Sequence, residues 1–181
     1  GNISNWNPSL VVNMEGMFNN SIVFDQNIGS WNTSNVQKMR VMFQNASSFN
    51  NGGSSDIGNW DTNLVSDIRL MFDNATLFNQ PLPSFPQATN LEYLFRGCIN
   101  FNQNLNNWDT SSVTSATGCF SGCDAFNNGD SSDGLLWNTG NIGNMKEMFG
   151  GCDVFNQNIG SWDVGNVTNM QRMLYRAGQF N

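Results

Sequence analysis

The chain contains no histidine, and only 12% of its residues are charged. Without an imidazole it lacks the commonest general base, the usual nitrogen ligand for a metal and the side chain that titrates nearest neutral pH. This weighs against an enzyme, and no cofactor is expected. Cations are scarce, with seven Lys/Arg against fourteen Asp/Glu and a formal net charge of −7. A surface of that sign repels phosphate backbones and anionic lipid, which argues against nucleic acid and against peripheral membrane attachment. No apolar run approaches the roughly 20 residues that cross a bilayer. No signal peptide opens the sequence, an absence that places the chain in no compartment. What is abundant is bulk: 14 Phe, 6 Trp and 9 Met, with Asn, Gly and Ser filling most polar positions.

The bulk is periodic. FDQNIGSW at Phe24 to Trp31 returns as FNQNIGSW at Phe155 to Trp162, and the Phe that opens each copy recurs at Phe24, Phe49, Phe78, Phe101, Phe126, Phe155 and Phe180. All six Trp (Trp6, Trp31, Trp60, Trp108, Trp137, Trp162) fall in one column, which Phe85 completes. All nine Met fall in two columns, and six further Phe follow the second of them. Large side chains are therefore absorbed by the repeat, and the tryptophans are expected in the core of each rung.

Within a copy, Val36, Met39, Met42, Phe43 and Ala46 have the spacing of one helical stripe. Asn32, Thr33 and Ser34 stand before it as candidate N-caps, with Thr62, Thr110 and Thr139 in the same column. Phe24 to Trp31 shows no such stripe and is expected to be a loop entering a short strand. A unit of about 25 residues cannot bury a Trp, two Phe and two Met alone, so stacking is required. The expected fold is α/β: a right-handed leucine-rich-repeat-like solenoid of seven rungs, each a short parallel strand plus a short helix. Residues 1–181 form a single repeat array of seven whole copies, uncapped at both ends.

LFRGCINF (Leu94 to Phe101), CFSGCDAF (Cys119 to Phe126) and MFGGCDVF (Met148 to Phe155) resemble the A-F-x-x-C-x-x-L element of the BspA-like branch of leucine-rich repeats. The copies are closer still to a variant with W-D-x-S-x-V-x-x-M followed by M-F-x-x-A-x-x-F-N-Q, found in microbial surface lipoproteins and secreted proteins. The resemblance covers the chain and implies an extracellular or cell-surface location and a binding or adhesion role.

Cys98, Cys123 and Cys152 share a column that holds Ser21, Ala46, Ala75 and Ala177 elsewhere, which reads as a ladder of small buried groups with one inter-rung disulfide as the alternative. Cys119 lies four residues before Cys123, where a helix would not let the two bridge. A zinc site from the four would lack a C-x-x-C pair and any His. The two long copies insert similar loops, NNGGSSD (Asn50 to Asp56) and NNGDSSD (Asn127 to Asp133). Asp56, Asp130 and Asp133 make calcium the candidate ion, although the alternating-ligand spacing and the bidentate Glu are missing. The Asp/Asn after each opening Phe (Asp25, Asn50, Asn79, Asn102, Asn127, Asn156, Asn181) is expected to bond from rung to rung.

The leading expectation is a non-catalytic extracellular scaffold. It either contacts a protein or glycan partner or stacks head to tail with identical units into an array or filament. An ice-binding solenoid is the alternative, motivated by the Thr column, and a calcium-binding surface repeat the second. Positions where copies differ are the places to seek a contact, above all Leu135 and Leu136, one of which the insertion leaves without a core column.

Overall fold

The apolar spacing of about three over residues 36–46 is produced by turns and not by a helix. In the computed structural model, which describes residues 1–181, the N–H of Met42 donates to the Met39 carbonyl at 3.1 Å, that of Gln44 to Val41 at 3.3 Å and that of Ala46 to Phe43 at 3.0 Å. The intervening N–H groups leave the copy. Met39, Val41, Phe43 and Asn45 donate to Asp67, Arg69, Met71 and Asp73 of the next copy at 2.7–3.0 Å. An α-helix would consume those donors internally, whereas chained turns leave every second one free to bind a neighbour. Both arrangements bury a residue about every three positions, so the apolar pattern alone does not separate them.

The α/β solenoid of strands and helices expected from the sequence is therefore not what forms. The only helical segments are 3₁₀ turns at Asn51–Gly53, Ser55–Asn59 and Asn128–Asp130, and no helix is long and apolar enough to cross a membrane. Parallel pairing is confined to single bridges, Asn13–Lys38–Asp67 and Asn90–Ser115–Asn144–Asn169, with no continuous strand. These bridges stand on the turn segment, away from Phe24 to Trp31 where a strand was expected. The chain is a stack of turn-built rungs, each lying on the next in register.

Each rung repeats two left-handed residues. One column is Gly16, Val41, Leu70, Tyr93, Gly118, Glu147 and Arg172; the other is Asn20, Asn45, Asn74, Gly97, Gly122, Gly151 and Arg176. All fourteen have φ between 51° and 77°. A positive φ at the third residue of a turn suits Gly and Asn, and costs other L-residues about 1–2 kcal/mol. Val41 is β-branched, half-buried and held at φ 51°, in a column where Gly16 and Gly118 stand in other rungs. Val41→Gly is expected to raise the unfolding free energy by about 0.5–1 kcal/mol, the relief of strain exceeding the entropy that glycine adds to the unfolded chain. A lower urea midpoint for the variant would contradict this.

The core is one cluster of 42 buried residues running the length of the stack. Two phenylalanine columns, Phe18 to Phe149 and Phe24 to Phe180, stack with ring centroids 5.3–6.0 Å apart between rungs. Within a rung the two rings meet at about 4 Å, as in Phe43–Phe49 (3.9 Å) and Phe95–Phe101 (4.1 Å). Of the six tryptophans expected in the core, Trp31, Trp60, Trp108, Trp137 and Trp162 are buried, between 3% and 9% exposed, whereas Trp6 of the first rung is 56% exposed. Each buried indole donates its N–H to a carbonyl of the preceding rung: Ile3, Ile28, Leu82, Leu105 and Leu135 respectively, at 2.8–3.3 Å.

Candidate functional site

The polar columns of the repeat are bonds between rungs. Thr33, Thr62, Thr110 and Thr139 donate their hydroxyls to the carbonyls of Asp61, Ser84, Asn138 and Asp163 in the following rung. They are 1–4% exposed, so they cap no helix and present no face to an ice lattice. The cap-type bond exists one residue earlier, as an Asx turn without a helix: Asn32 accepts from the Ser34 N–H at 3.1 Å and Asp163 from Gly165 at 2.9 Å. The ladder after the opening Phe is complete. The side-chain oxygens of Asp25, Asn50, Asn79, Asn102, Asn127 and Asn156 accept from the backbone N–H of Asn50, Asn79, Asn102, Asn127, Asn156 and Asn181 at 2.7–3.1 Å.

All four cysteines are free thiols and buried, and none sits on a helix. The thiols of Cys98, Cys123 and Cys152 donate to the carbonyls of Phe72, Phe95 and Phe120 at 2.8–2.9 Å. Burial pushes all four thiols well up from their ordinary range, Cys152 to about 12. The folded state thus holds protons that the unfolded chain releases above pH about 8.5–9. The thiols should leave stability flat below pH 8.5 and lower it as pH rises from there toward 12, by at most about 1.4 kcal/mol per unit for each thiol. Replacing Cys98, Cys123 and Cys152 by Ala, which Ala46 and Ala75 already show to fit their shared column, is expected to reduce the alkaline loss in urea melts to that of Cys119 alone. An equally steep loss in the variant would contradict the assignment.

The inserted loops are pinned by two asparagines that composition did not single out. Asn51 and Asn128 are fully buried and left-handed, with φ of 54° and 53°. The Asn51 side chain accepts from the Ile28 N–H and donates to the Ser54 carbonyl and the Asp56 carboxylate, each at 2.8 Å. Asn128 does the same for Leu105, Gly134 and Asn106. Their position at the centre of NNGGSSD and NNGDSSD was the available signal, but the acidic residues beside them drew the ion reading instead. Asp56 faces the amides of Asn27 and Asn51 at 3.0 and 2.8 Å. Burial works to raise its carboxyl, and hydrogen bonds involving Asn27, Ser54 and Asn51 outweigh that and hold it below its usual value. Asp130 accepts from Asn102 and Asn127 at 3.1 and 3.0 Å, while Asp133 is exposed. No three Cys, Asp or Glu side chains converge in an arrangement that could hold a metal ion.

Leu135 and Leu136 part company. Leu135 is fully buried in the column of Ile28, Ile57 and Leu105, and its carbonyl receives the Trp162 indole. Leu136 is 54% exposed, with its N–H bonded to the Asn106 side chain at 3.0 Å. One of the pair is thus an apolar surface residue and the other is core.

Charge is segregated along the stack. The turn segments 13–20, 38–45, 67–74, 90–97, 115–122, 144–151 and 169–176 form one strip through their mutual backbone bonds. All seven Lys/Arg lie in this strip with five of the fourteen acids, a balance of +2; the other nine acids face no cation, a balance of −9. Arg40 pairs with Glu15 at 3.1 Å, Arg69 with Asp67 at 2.8 Å, Arg96 with buried Asp73 at 2.7 Å and Lys146 with Glu147 at 3.8 Å. Lys38, Arg172 and Arg176 have no carboxylate within 4.0 Å. The surface has three recesses. One of about 500 Å³ beside Trp6, Val11, Met14, Met17 and Trp31 is apolar. A second of about 380 Å³, beside Asp61, Pro83, Pro86 and Asp109, is polar and lies outside the strip. A third of about 300 Å³ lies in the strip beside Arg172 and Arg176.

The sequence matches the family described as Mycoplasma protein of unknown function, DUF285, over residues 1–88 and again over 84–181. The two matches together span the chain, which belongs to this family; the match does not extend to the BspA-like branch that the motifs resemble. No curated protein and no solved structure matches the chain.

Proposed function

We propose that this member of the DUF285 family is a non-catalytic repeat scaffold displayed outside the cell, where positions that differ between copies contact a protein or glycan partner. The observation that carries the reading is the use made of the polar groups. Indole, thiol, threonine hydroxyl and asparagine amide all donate or accept between rungs, so the side chains that elsewhere do chemistry here hold the stack together. What remains free is surface that varies from copy to copy, such as Leu136 and the strip arginines. Labelling intact cells with an antibody against the chain tests the location: signal without permeabilisation is expected, and signal that requires permeabilisation overturns the reading.

A second reading, end-to-end stacking, has its own observation. The first rung presents Trp6 and Met17, 56% and 40% exposed, at the 500 Å³ recess. Their columns are buried under a neighbouring rung elsewhere, as at Trp31, Trp60, Met42 and Met71. A further rung, from flanking sequence or from a second copy, fits that face. Sedimentation velocity across a hundredfold concentration range decides for a second copy if the chain self-associates, and against it if the chain stays monomeric.

A further inference from the structure

Two side-chain ladders run down the basic strip and stop one rung apart, at Arg96 and at Asn74. In the first, Asn19 donates to Gln44 at 3.2 Å, Gln44 to Asp73 at 2.8 Å, and Arg96 to Asp73 through two bonds of 2.7 Å. In the second, Asn74 donates to Asn45 at 3.1 Å and Asn45 to Asn20 at 2.9 Å. Below them the same columns hold Ser121 and Gly150 in one, and Gly97, Gly122 and Gly151 in the other. The side chains end, and the 300 Å³ recess opens over Gly122, Gly150 and Gly151. Its wall is the last rung, where Tyr175 carries Arg172 and Arg176 with guanidinium carbons 5.7 and 5.3 Å from its ring centroid. Cation–π contact orders both guanidinium groups without consuming their hydrogen-bond donors. The two rungs before the last offer acceptors: the Glu147 carboxylate, 3.8 Å from Lys146 and in the rung next to Arg172, and the Ser121 hydroxyl, which has no partner within the chain.

We propose that this recess binds an acidic saccharide end, a single sugar ring whose carboxylate lies on Arg172 and Arg176 and whose hydroxyls reach Glu147 and Ser121. Bidentate guanidinium donors suit a planar carboxylate. Glu147 disfavours a bare sulfate, which accepts only, but accepts from hydroxyl donors on a ring. The volume of about 300 Å³ suffices for one sugar ring. This deepens the scaffold reading by naming a ligand class and rests on it only for where the site is displayed. Binding is measured on purified protein, so a failed titration leaves the cell-labelling result standing, and the reverse holds too.

The repeat supplies its own test substitutions. Gly150→Gln places in the recess the residue that occupies this column at Gln44, and Gly150 has no positive φ to oppose it. Arg172→Gly with Arg176→Asn removes the donors using residues found in the same left-handed columns at Gly118 and Asn74. The experiment is a ¹⁵N chemical-shift titration of the full chain with glucuronate, glucose, sodium sulfate and the dipeptide Gly-Asp. Expected are saturable shifts with glucuronate confined to residues 118–122, 147–151 and 172–176. Glucose, sulfate and the dipeptide should bind at least tenfold more weakly, and both variants should lose at least tenfold in glucuronate affinity while melting no lower than the parent. No saturable shift, equal binding of sulfate or the dipeptide, or full affinity in Gly150→Gln would each overturn the proposal.

Discussion

Phe95→Ala is expected to cost about 3–5 kcal/mol of unfolding free energy, the range for removing a large aromatic from a packed core. Phe95 is fully buried at the middle of the stack. It stacks on Phe72 and Phe120 at 5.7 Å each, on Phe101 at 4.1 Å, and meets Trp108 at 6.1 Å. The rungs above and below cannot collapse into the void, because the backbone bonds from Tyr93, Phe95 and Gly97 to Thr117, Cys119 and Ser121 fix the rung spacing. In a stack each rung is supported only by its neighbours, so a central cavity weakens two interfaces together. Phe180→Ala is the comparison: half-buried, with one stacking partner at 5.9 Å, it should cost no more than about 1–2 kcal/mol. Urea unfolding measures both, and amide exchange should show protection falling on both sides of Phe95. Equal costs for the two variants would refute the view of a stack whose centre is its most coupled part.

The sequence discloses which residues are core far better than it discloses what backbone carries them. Every column of Trp and opening Phe was legible because burial depends on recurrence, whatever the local conformation. The helix expected over Val36 to Ala46 failed for a definite reason. Turns closed by i to i+3 bonds bury positions at intervals of three or four, the same intervals that mark a helical face. The discriminating signal lay in the residues between the apolar ones. Gly16, Asn20, Asn45, Asn74, Gly97, Gly118, Gly122 and Gly151 fill two columns four residues apart that a helix would penalise and left-handed turns require. Val41, Leu70, Tyr93, Glu147, Arg172 and Arg176 hid the rest of that signal by occupying the same conformation without the expected residue type.

The candidate contact region was legible only in part. Leu136 was identifiable as a departure from the repeat. The basic strip was not, because its cations are spread over 139 positions of sequence, from Lys38 to Arg176, and come together only when the rungs stack. The recess was less visible still. It is made by what Gly122, Gly150 and Gly151 leave out, set against arginines 21 to 54 residues further on. Register, once known, converts these distant positions into one surface.

Register also explains why Asn128→Ala should be among the most damaging single polar substitutions, at about 3–4 kcal/mol. The Asn128 side chain satisfies three partners from a fully buried position: the Leu105 N–H at 2.8 Å, the Gly134 carbonyl at 2.9 Å and the Asn106 side chain at 3.0 Å. Alanine leaves the Leu105 N–H and the Gly134 carbonyl without their partners, at about 1–3 kcal/mol for each group that stays buried. It also keeps a Cβ at φ 53° after removing the residue type that best tolerates that conformation. Asn128→Gly separates the two effects. Glycine relieves the backbone but restores no hydrogen bond, so it should recover about 1 kcal/mol of the loss and no more. Asn51→Ala, which removes the equivalent bonds to Ile28, Ser54 and Asp56, should match Asn128→Ala within about 1 kcal/mol. Urea unfolding of the three variants provides the comparison. A cost below about 1 kcal/mol for Asn128→Ala would mean that water replaces the amide in the loop. Full recovery with Asn128→Gly would mean that backbone conformation, and not the bridge to the neighbouring rung, is what the asparagine supplies.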